Sequence, residues 1–301
     1  MKDIYIKDVK ELKSFDKINL TFMIMKKLYR DGVKTIAIIG DKSGDIKTSI
    51  EDSENILKIG DVIKVKIVPS NIFEIKKFEK VKDFSMDDFL PHVERTIEDI
   101  MKEIDEMSAA EFKSKEAIAL NNYFFNDKEF LDNFKKGIGG VSQHHNYIGG
   151  LAEHTLNVMY IAKMLAYRYN ARNKEIAILA AKLHDIGKTV EYFVDGPFSF
   201  TLKGEMEGHI VIGVEMIDEA FRAQRSLYSE DFKARIKGCI VQHHGKLEYG
   251  SPKKPNTEEA HIVNLADQAD AFLNKIAQIK SGAEPNTWSE YDRRIEGKIY
   301  I

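Results

Sequence analysis

The apolar periodicity of this 301-residue chain changes near residues 80–88, and no other feature restricts its fold as much. From Asn19 to about Lys80, apolar residues fall in short runs rich in β-branched types, such as 33–39 and 62–68. Turn formers separate the runs: Asp31-Gly32, Gly40-Asp41, Ser43-Gly44 and Gly60-Asp61. β-Branched residues suit a pleated, half-buried surface, and glycine admits tight turns, so this stretch predicts four or five strands of a small antiparallel barrel. Beyond residue 81 the spacing turns helical. Ser85-x-x-Asp88 and Ser108-x-x-Glu111 read as helix starts, the second as a capping box. Two or three helices are expected over 86–135, with Pro91 tolerable near a helix start.

The expected organisation is therefore a barrel over 1–82, a helical linker over 83–140 and an all-α domain over 141–301. Within the barrel, residues 35–46 look like a hairpin and 57–65 like a turn entering a strand; together they resemble the OB-fold, a barrel often used for single-stranded nucleic acid. Charge is compatible with that use: residues 1–80 hold 17 Lys and Arg against 13 Asp and Glu, in a chain of net charge -3. The barrel aromatics Phe22, Tyr29, Phe73 and Phe78 are either stacking platforms beside these lysines or core. No run approaches the roughly 20 apolar residues that span a bilayer, and no secretory segment is legible. The lone Cys239 cannot form an internal disulfide, which points to a reducing cytoplasm. No seam for self-association is legible, so a homo-oligomer stays open.

Chemistry concentrates in the second half. His154 precedes the apolar positions Val158, Ile161 and Leu165 and falls in a helix's first turn. A second helix carries Ile176, Leu179, Ala180 and Leu183 and ends in His184-Asp185-Ile186-Gly187-Lys188, with Gly187 read as its terminator. His209, His243-His244 and Asp267 follow, each within or at the end of a predicted helix. Asn256-x-x-Glu259 starts the last helix, whose buried side is expected at Ile262, Leu265, Ala269, Phe272 and Ile276. A single histidine on a helix is usually a packed or surface residue. The ordered set is more informative, because its intervals of 30, 24, 34 and 23 residues each fit a helix plus its connection. Imidazole and carboxylate together suit manganese, iron, cobalt or zinc.

His154, His184-Asp185 and Asp267 match the H…HD…D pattern of the HD superfamily of metal-dependent phosphohydrolases. The segments 144–155, 183–188 and 243–252 further resemble YhaM-type 3′→5′ exoribonucleases, which join an N-terminal OB-fold to an HD domain. That resemblance is strong over about 140–275 and weak in the barrel. It implies two divalent cations, Mn2+ first, with Co2+, Fe2+ or Mg2+ as alternatives. His154, His184, Asp185 and Asp267 would hold one, and His209, His243 and His244 the other, with Asp185 shared. The expected reaction is stepwise hydrolysis of single-stranded RNA, or DNA, to 5′-mononucleotides. Gly150 stands where some trinuclear relatives carry Glu, which favours two metals over three.

Asp185 and Lys188 are the expected catalytic residues, Lys188 by neutralising a phosphate oxygen; a surface lysine favourable to a helix dipole is the bland alternative. His144, His145, Lys246 and Tyr249 are candidate substrate contacts, each weighed against a structural place in its loop. Buried cysteines are usually inert, so Cys239 is expected to be structural. Two rival functions remain. One is a phosphodiesterase acting on small nucleotides; the Gly-Tyr-Pro signature of cyclic-dinucleotide enzymes is replaced here by Gly245-Lys246-Leu247. The other is a non-catalytic nucleic-acid-binding protein, which a missing ligand would announce; none of the seven is missing.

Overall fold

Strand β1 (Ile18–Asp31) is long enough, at 14 residues, to serve two partners. Its first part pairs antiparallel with β4 (Val62–Ile67) and the rest with β2 (Lys34–Asp41), which turns into β3 (Gly44–Glu51). Register shifts between Ile24 and Lys26 and between Lys27 and Tyr29 bend β1, because an extra residue on one side of a ladder increases local twist. With β5 (Glu74–Ile75) and β6 (Glu79–Val81) the sheet runs β5-β3-β2-β1-β4-β6 and curls into a half-barrel. Alternate residues Leu20, Phe22 and Ile24 point inward and meet Ile39, Ile50 and Ile63. Unlike the expected all-antiparallel barrel, β3 and β5 pair in parallel. Phe22 is core and Phe78 packs against it, whereas Tyr29 and Phe73 are exposed.

The structure, a computed structural model, describes residues 2, 4–9, 16–141, 145–281 and 283–301. Contacts divide it into two units: Met1–His92 with Phe193–Ser199, and Val93–Tyr192 with Phe200–Ile301. A one-turn helix, α1 (Ile6–Val9), lies in the first. The second is built from α2 (Ile97–Glu111), α3 (Lys115–Phe125), α4 (Lys128–Lys136), α5 (Gly150–Arg168), α6 (Lys174–Leu183), α7 (Lys188–Glu191), α8 (Leu202–Ala223), α9 (Glu230–Gln242) and α10 (Glu258–Ser281). Among the described residues no helix is long and apolar enough to cross a membrane.

Residues 97–136 share one core with the rest of the second unit: Ile104, Leu120 and Phe134 join Leu156, Leu179, Ile236 and Val263. The Ser108-x-x-Glu111 capping box does not form. Ser108 lies in the last turn of α2 and donates to the Ile104 carbonyl at 2.7 Å, while Thr96 caps the helix start by accepting from the Asp99 amide. Thr257, not Asn256, caps α10 by accepting a first-turn amide, that of Ala260. The inward face of α10 is also rotated from the expected one: Val263, Asn264, Ala266, Asp267 and Asp270 are buried with Ile262, and Leu265 and Phe272 are exposed.

Candidate metal centre

Five helices and their ends bring the seven residues together. His154 lies in the second turn of α5, one turn further in than its sequence suggests. His184 and His243 sit at the C-terminal ends of α6 and α9, Asp185 and His244 directly after them, and Asp267 is mid-way along α10. His209 follows a kink in α8 at Gly208, whose φ of 73° and ψ of 157° break the helix. That left-handed φ favours glycine. The kink frees the His209 amide, which donates to Glu191 Oε1 at 3.0 Å. Gly187 is right-handed at φ -61° and so is not a left-handed terminator. A Cβ there would fall 2.0 Å from the His209 carbonyl oxygen, so its bare backbone is what lets α8 approach Asp185.

Asp185 is the hub. Its Oδ2 lies 3.4 Å from His154 Nε2 and 3.3 Å from His184 Nε2, and its Oδ1 lies 3.6 Å from both His209 Nε2 and His243 Nε2. Asp267 Oδ1 is 3.2 Å from His154 Nε2 and 3.9 Å from His184 Nε2. His209, His243 and His244 form one set of donor atoms within 4.8 Å of one another, and His154, His184 and Asp185 another.

The far side of each imidazole decides what its near side can do. Nδ1 faces Asp270 Oδ2 at 2.6 Å in His154, the Ala181 carbonyl at 2.8 Å in His184 and Glu191 Oε1 at 3.2 Å in His209. In His243 it faces the Ile240 carbonyl at 2.7 Å, and in His244 the Tyr249 carbonyl at 2.7 Å. These oxygens only accept, so each Nδ1 carries a proton, and in the neutral ring the Nε2 lone pair faces the centre. His154 Nε2 and His184 Nε2 stand 3.2 Å apart beside two carboxylates, and against the effect of burial Asp185, Asp267 and Asp270 raise the His154 pKa well above the usual imidazole value, so a cation would take the place of a proton there. Asp185 Oδ1, His209 Nε2 and His243 Nε2 are buried without a hydrogen-bond partner. A buried lone pair without a donor is costly, and so many facing one space are the signature of a cation-binding donor set.

Both carboxylates are ionised despite their burial. Burial alone would raise the Asp185 pKa, but Lys188, His184 and the imidazole hydrogen bonds hold it well below the usual carboxylate range. Burial opposes charge on Asp267 as well, and His154 above all outweighs it, leaving the group depressed. Burial, then His244 and His184, hold His243 well below the usual imidazole value, so it is a neutral ligand type. Burial also pushes the Cys239 thiol up, in keeping with an inert residue.

Residues 151–271 match the HD domain family. Over 277 residues the chain is 29% identical to the 3'-5' exoribonuclease YhaM of Geobacillus sp. (strain WCH70), covering 87% of this chain and 83% of that protein. Residues 151–271 are an HD domain, and the chain as a whole is similar to the YhaM type. HD domains are metal-dependent phosphohydrolases, and the clustered imidazoles and carboxylates are the donor set such a centre needs. Among solved structures, the L. monocytogenes phosphodiesterase PgpH HD domain aligns at 21% identity over 53% of this chain and 77% of that one, with a TM-score of 0.30, too loose a superposition to bear on the site.

The other candidates divide. Lys188 is buried with Nζ 2.6 Å from Asp185 Oδ2, inside the site and not on the surface. Lys246 and Tyr249 are exposed, the lysine ammonium 5.2 Å from the ring centroid. His145 is 1% exposed, with Nε2 2.8 Å from Asp270 Oδ2 and Nδ1 2.9 Å from the Tyr147 hydroxyl, which places it behind His154. His144 lies outside the described residues. A Cβ at Gly150 would fall 2.2 Å from the His145 carbonyl oxygen, which leaves no room there for the Glu of trinuclear relatives. Sequence reasoning missed Asp270 and Glu191. Asp270 follows Asp267 by three residues, one helical turn on the same face, which was the available signal.

Proposed function

We propose that the chain is a 3′→5′ exoribonuclease that hydrolyses single-stranded RNA to 5′-mononucleotides at a centre of two divalent cations. The single observation behind the two-cation reading is the Asp185 carboxylate, whose two oxygens face different imidazole pairs. In this reading His154, His184, Asp185 and Asp267 hold one cation, His209, His243 and His244 the other, and Asp185 is shared. Imidazole with carboxylate suits Mn2+, Co2+ or Fe2+ better than Mg2+, which prefers oxygen donors. Two such cations, when bound, activate water near neutral pH and offset the charge that grows on phosphoryl oxygens during in-line displacement. The RNA substrate and the polarity of digestion follow the Geobacillus relative's name.

The chain's own residues supply positioning. Lys188 lies against Asp185, where its ammonium can donate to a non-bridging phosphate oxygen. Lys246 and Tyr249 flank the turn whose carbonyl holds His244, in reach of a strand entering there. In the first unit a cleft of about 850 Å³ lined by Tyr29, Ile36, Lys47, Thr48 and Phe73 offers two exposed rings and an ammonium, a pattern suited to base stacking beside a phosphate. The lone Cys239, buried and reduced, fits work in the cytoplasm.

The test is digestion of 5′-end-labelled single-stranded RNA, and of the same DNA sequence, with Mn2+, resolved by length for wild type and Asp185→Ala. Stepwise shortening from the 3′ end, abolished in Asp185→Ala, is the expected result. Intact RNA under Mn2+, Co2+ and Mg2+, with turnover of a small nucleotide ester, would overturn the exonuclease reading; faster DNA than RNA digestion would reassign the substrate.

A further inference from the structure

Two of the five imidazoles differ from the rest in what stands behind them. His184, His243 and His244 rest their Nδ1 on backbone carbonyls, whereas His154 rests on the carboxylate of Asp270 and His209 on that of Glu191. One carboxylate-backed imidazole therefore falls in each of the two donor groups. We infer that Asp270 and Glu191 are a matched pair of positioning residues, each fixing the affinity of one metal position. The inference rests on the two-cation reading above.

Both carboxylates are built in. Asp270 is 5% exposed and fully engaged: Oδ2 takes His154 Nδ1 and His145 Nε2 at 2.6 and 2.8 Å, and Oδ1 takes Asn157 Nδ2 at 2.8 Å. Asn157 lies one turn after His154 on α5, so that helix presents both donors to α10 at once. The Asp270 oxygens thus contact hydrogen-bond donors directly, which argues against reading Asp270, His145 and His154 as a third metal cage. Glu191 is 4% exposed and ends α7; its Oε1 accepts both the backbone amide and Nδ1 of His209. It thereby holds the freed turn after Gly208 and aims the ring in one contact. A carboxylate behind a ligating imidazole locks its tautomer and makes the ring nitrogen more basic, and losing such a partner costs ~10–100-fold in metal affinity.

The test counts bound Mn2+ per full-length chain from the electron paramagnetic resonance signal of the free ion, without substrate. Wild type is expected to bind two ions tightly, and Asp270→Ala and Glu191→Ala one each, the second weakened ~10–100-fold. Each loss should belong to its own site: Asp270→Ala should change little in a His154→Ala background and its full effect should persist in His209→Ala, with Glu191→Ala the reverse. Asp270→Asn and Glu191→Gln keep an acceptor oxygen while removing the charge, and should fold and recover part of the affinity even if the alanine variants do not fold. A structural role alone would lower the melting temperature and leave the split between sites unmoved. Two tight ions in the alanine variants, equal weakening of both sites by either substitution, or wild-type affinity in the amide variants together with unfolded alanine variants would overturn the inference. A wild-type chain that binds no Mn2+ would instead overturn the metal reading, and this inference with it.

Discussion

Lys182, two residues before His184, holds its ammonium 3.6 Å from the Phe125 ring centroid, with Ser108 Oγ at 2.9 Å and Asn121 Oδ1 at 2.7 Å. Burial lowers its pKa to about 7 from 10.5, partly opposed by Asp105. The unfolded chain therefore holds this proton between pH 7 and 10.5 while the folded chain has released it. Stability should rise with pH across that window and show no further Lys182 contribution below it, a change on the order of a few kcal/mol for so buried an amine. Chemical denaturation at pH 7 and pH 9.5 checks this: wild type should gain stability relative to Lys182→Met as pH rises, and parallel profiles would show that the amine stays charged. The same residue explains one misreading of the sequence. Ser108 followed by Glu111 has the form of a helix start, yet Ser108 is buried as the acceptor for this lysine, a tertiary demand that no local pattern records.

At the scale of elements, the site depends on one break. Gly208→Ala would force a Cβ into a backbone region that is essentially glycine's alone, at a cost of roughly 1–3 kcal/mol, or straighten α8 and withdraw the His209 amide from Glu191. The expected result is a modest fall in melting temperature and a loss of Mn2+ affinity confined to the His209 group, measured by calorimetric titration; wild-type affinity would show that the kink is incidental. Gly187→Ala should be more severe, because its Cβ meets the His209 backbone and not a movable side chain. The ligand-bearing helices were legible because their intervals match a helix plus connection and the residues are chemically distinctive. The buried face of α10 was not, for a physical reason. Asp267 and Asp270 must face the centre, so the helix turns polar residues inward and leaves Leu265 and Phe272 outside, inverting the rule by which buried faces are read. The two-residue strand β5 carries too little pattern to announce a parallel pairing.

On the scale of the whole molecule, the curled sheet and the helical unit are tested by different substrates. If the cleft with Tyr29 and Phe73 holds the strand, Tyr29→Ala with Phe73→Ala should raise KM for a long single-stranded RNA by about tenfold or more, since a stacked base contributes ~1–3 kcal/mol. If the cleft serves only longer strands, cleavage of a dinucleotide should be unchanged; steady-state kinetics on both substrates separate the outcomes, and equal effects on both would show that the cleft does not hold the strand. The barrel's strands and the helical half were legible from periodicity alone. Which barrel aromatics are exposed was not, because alternation predicts faces only where register is regular and β1 shifts register twice. The most direct test of the account is an anomalous-difference map from crystals soaked in Mn2+. Two peaks about 3.5–4 Å apart on either side of the Asp185 carboxylate, one beside His154 and His184 and the other beside His209 and His243, are predicted. A single peak, or peaks that leave Asp185 uncoordinated, would contradict it.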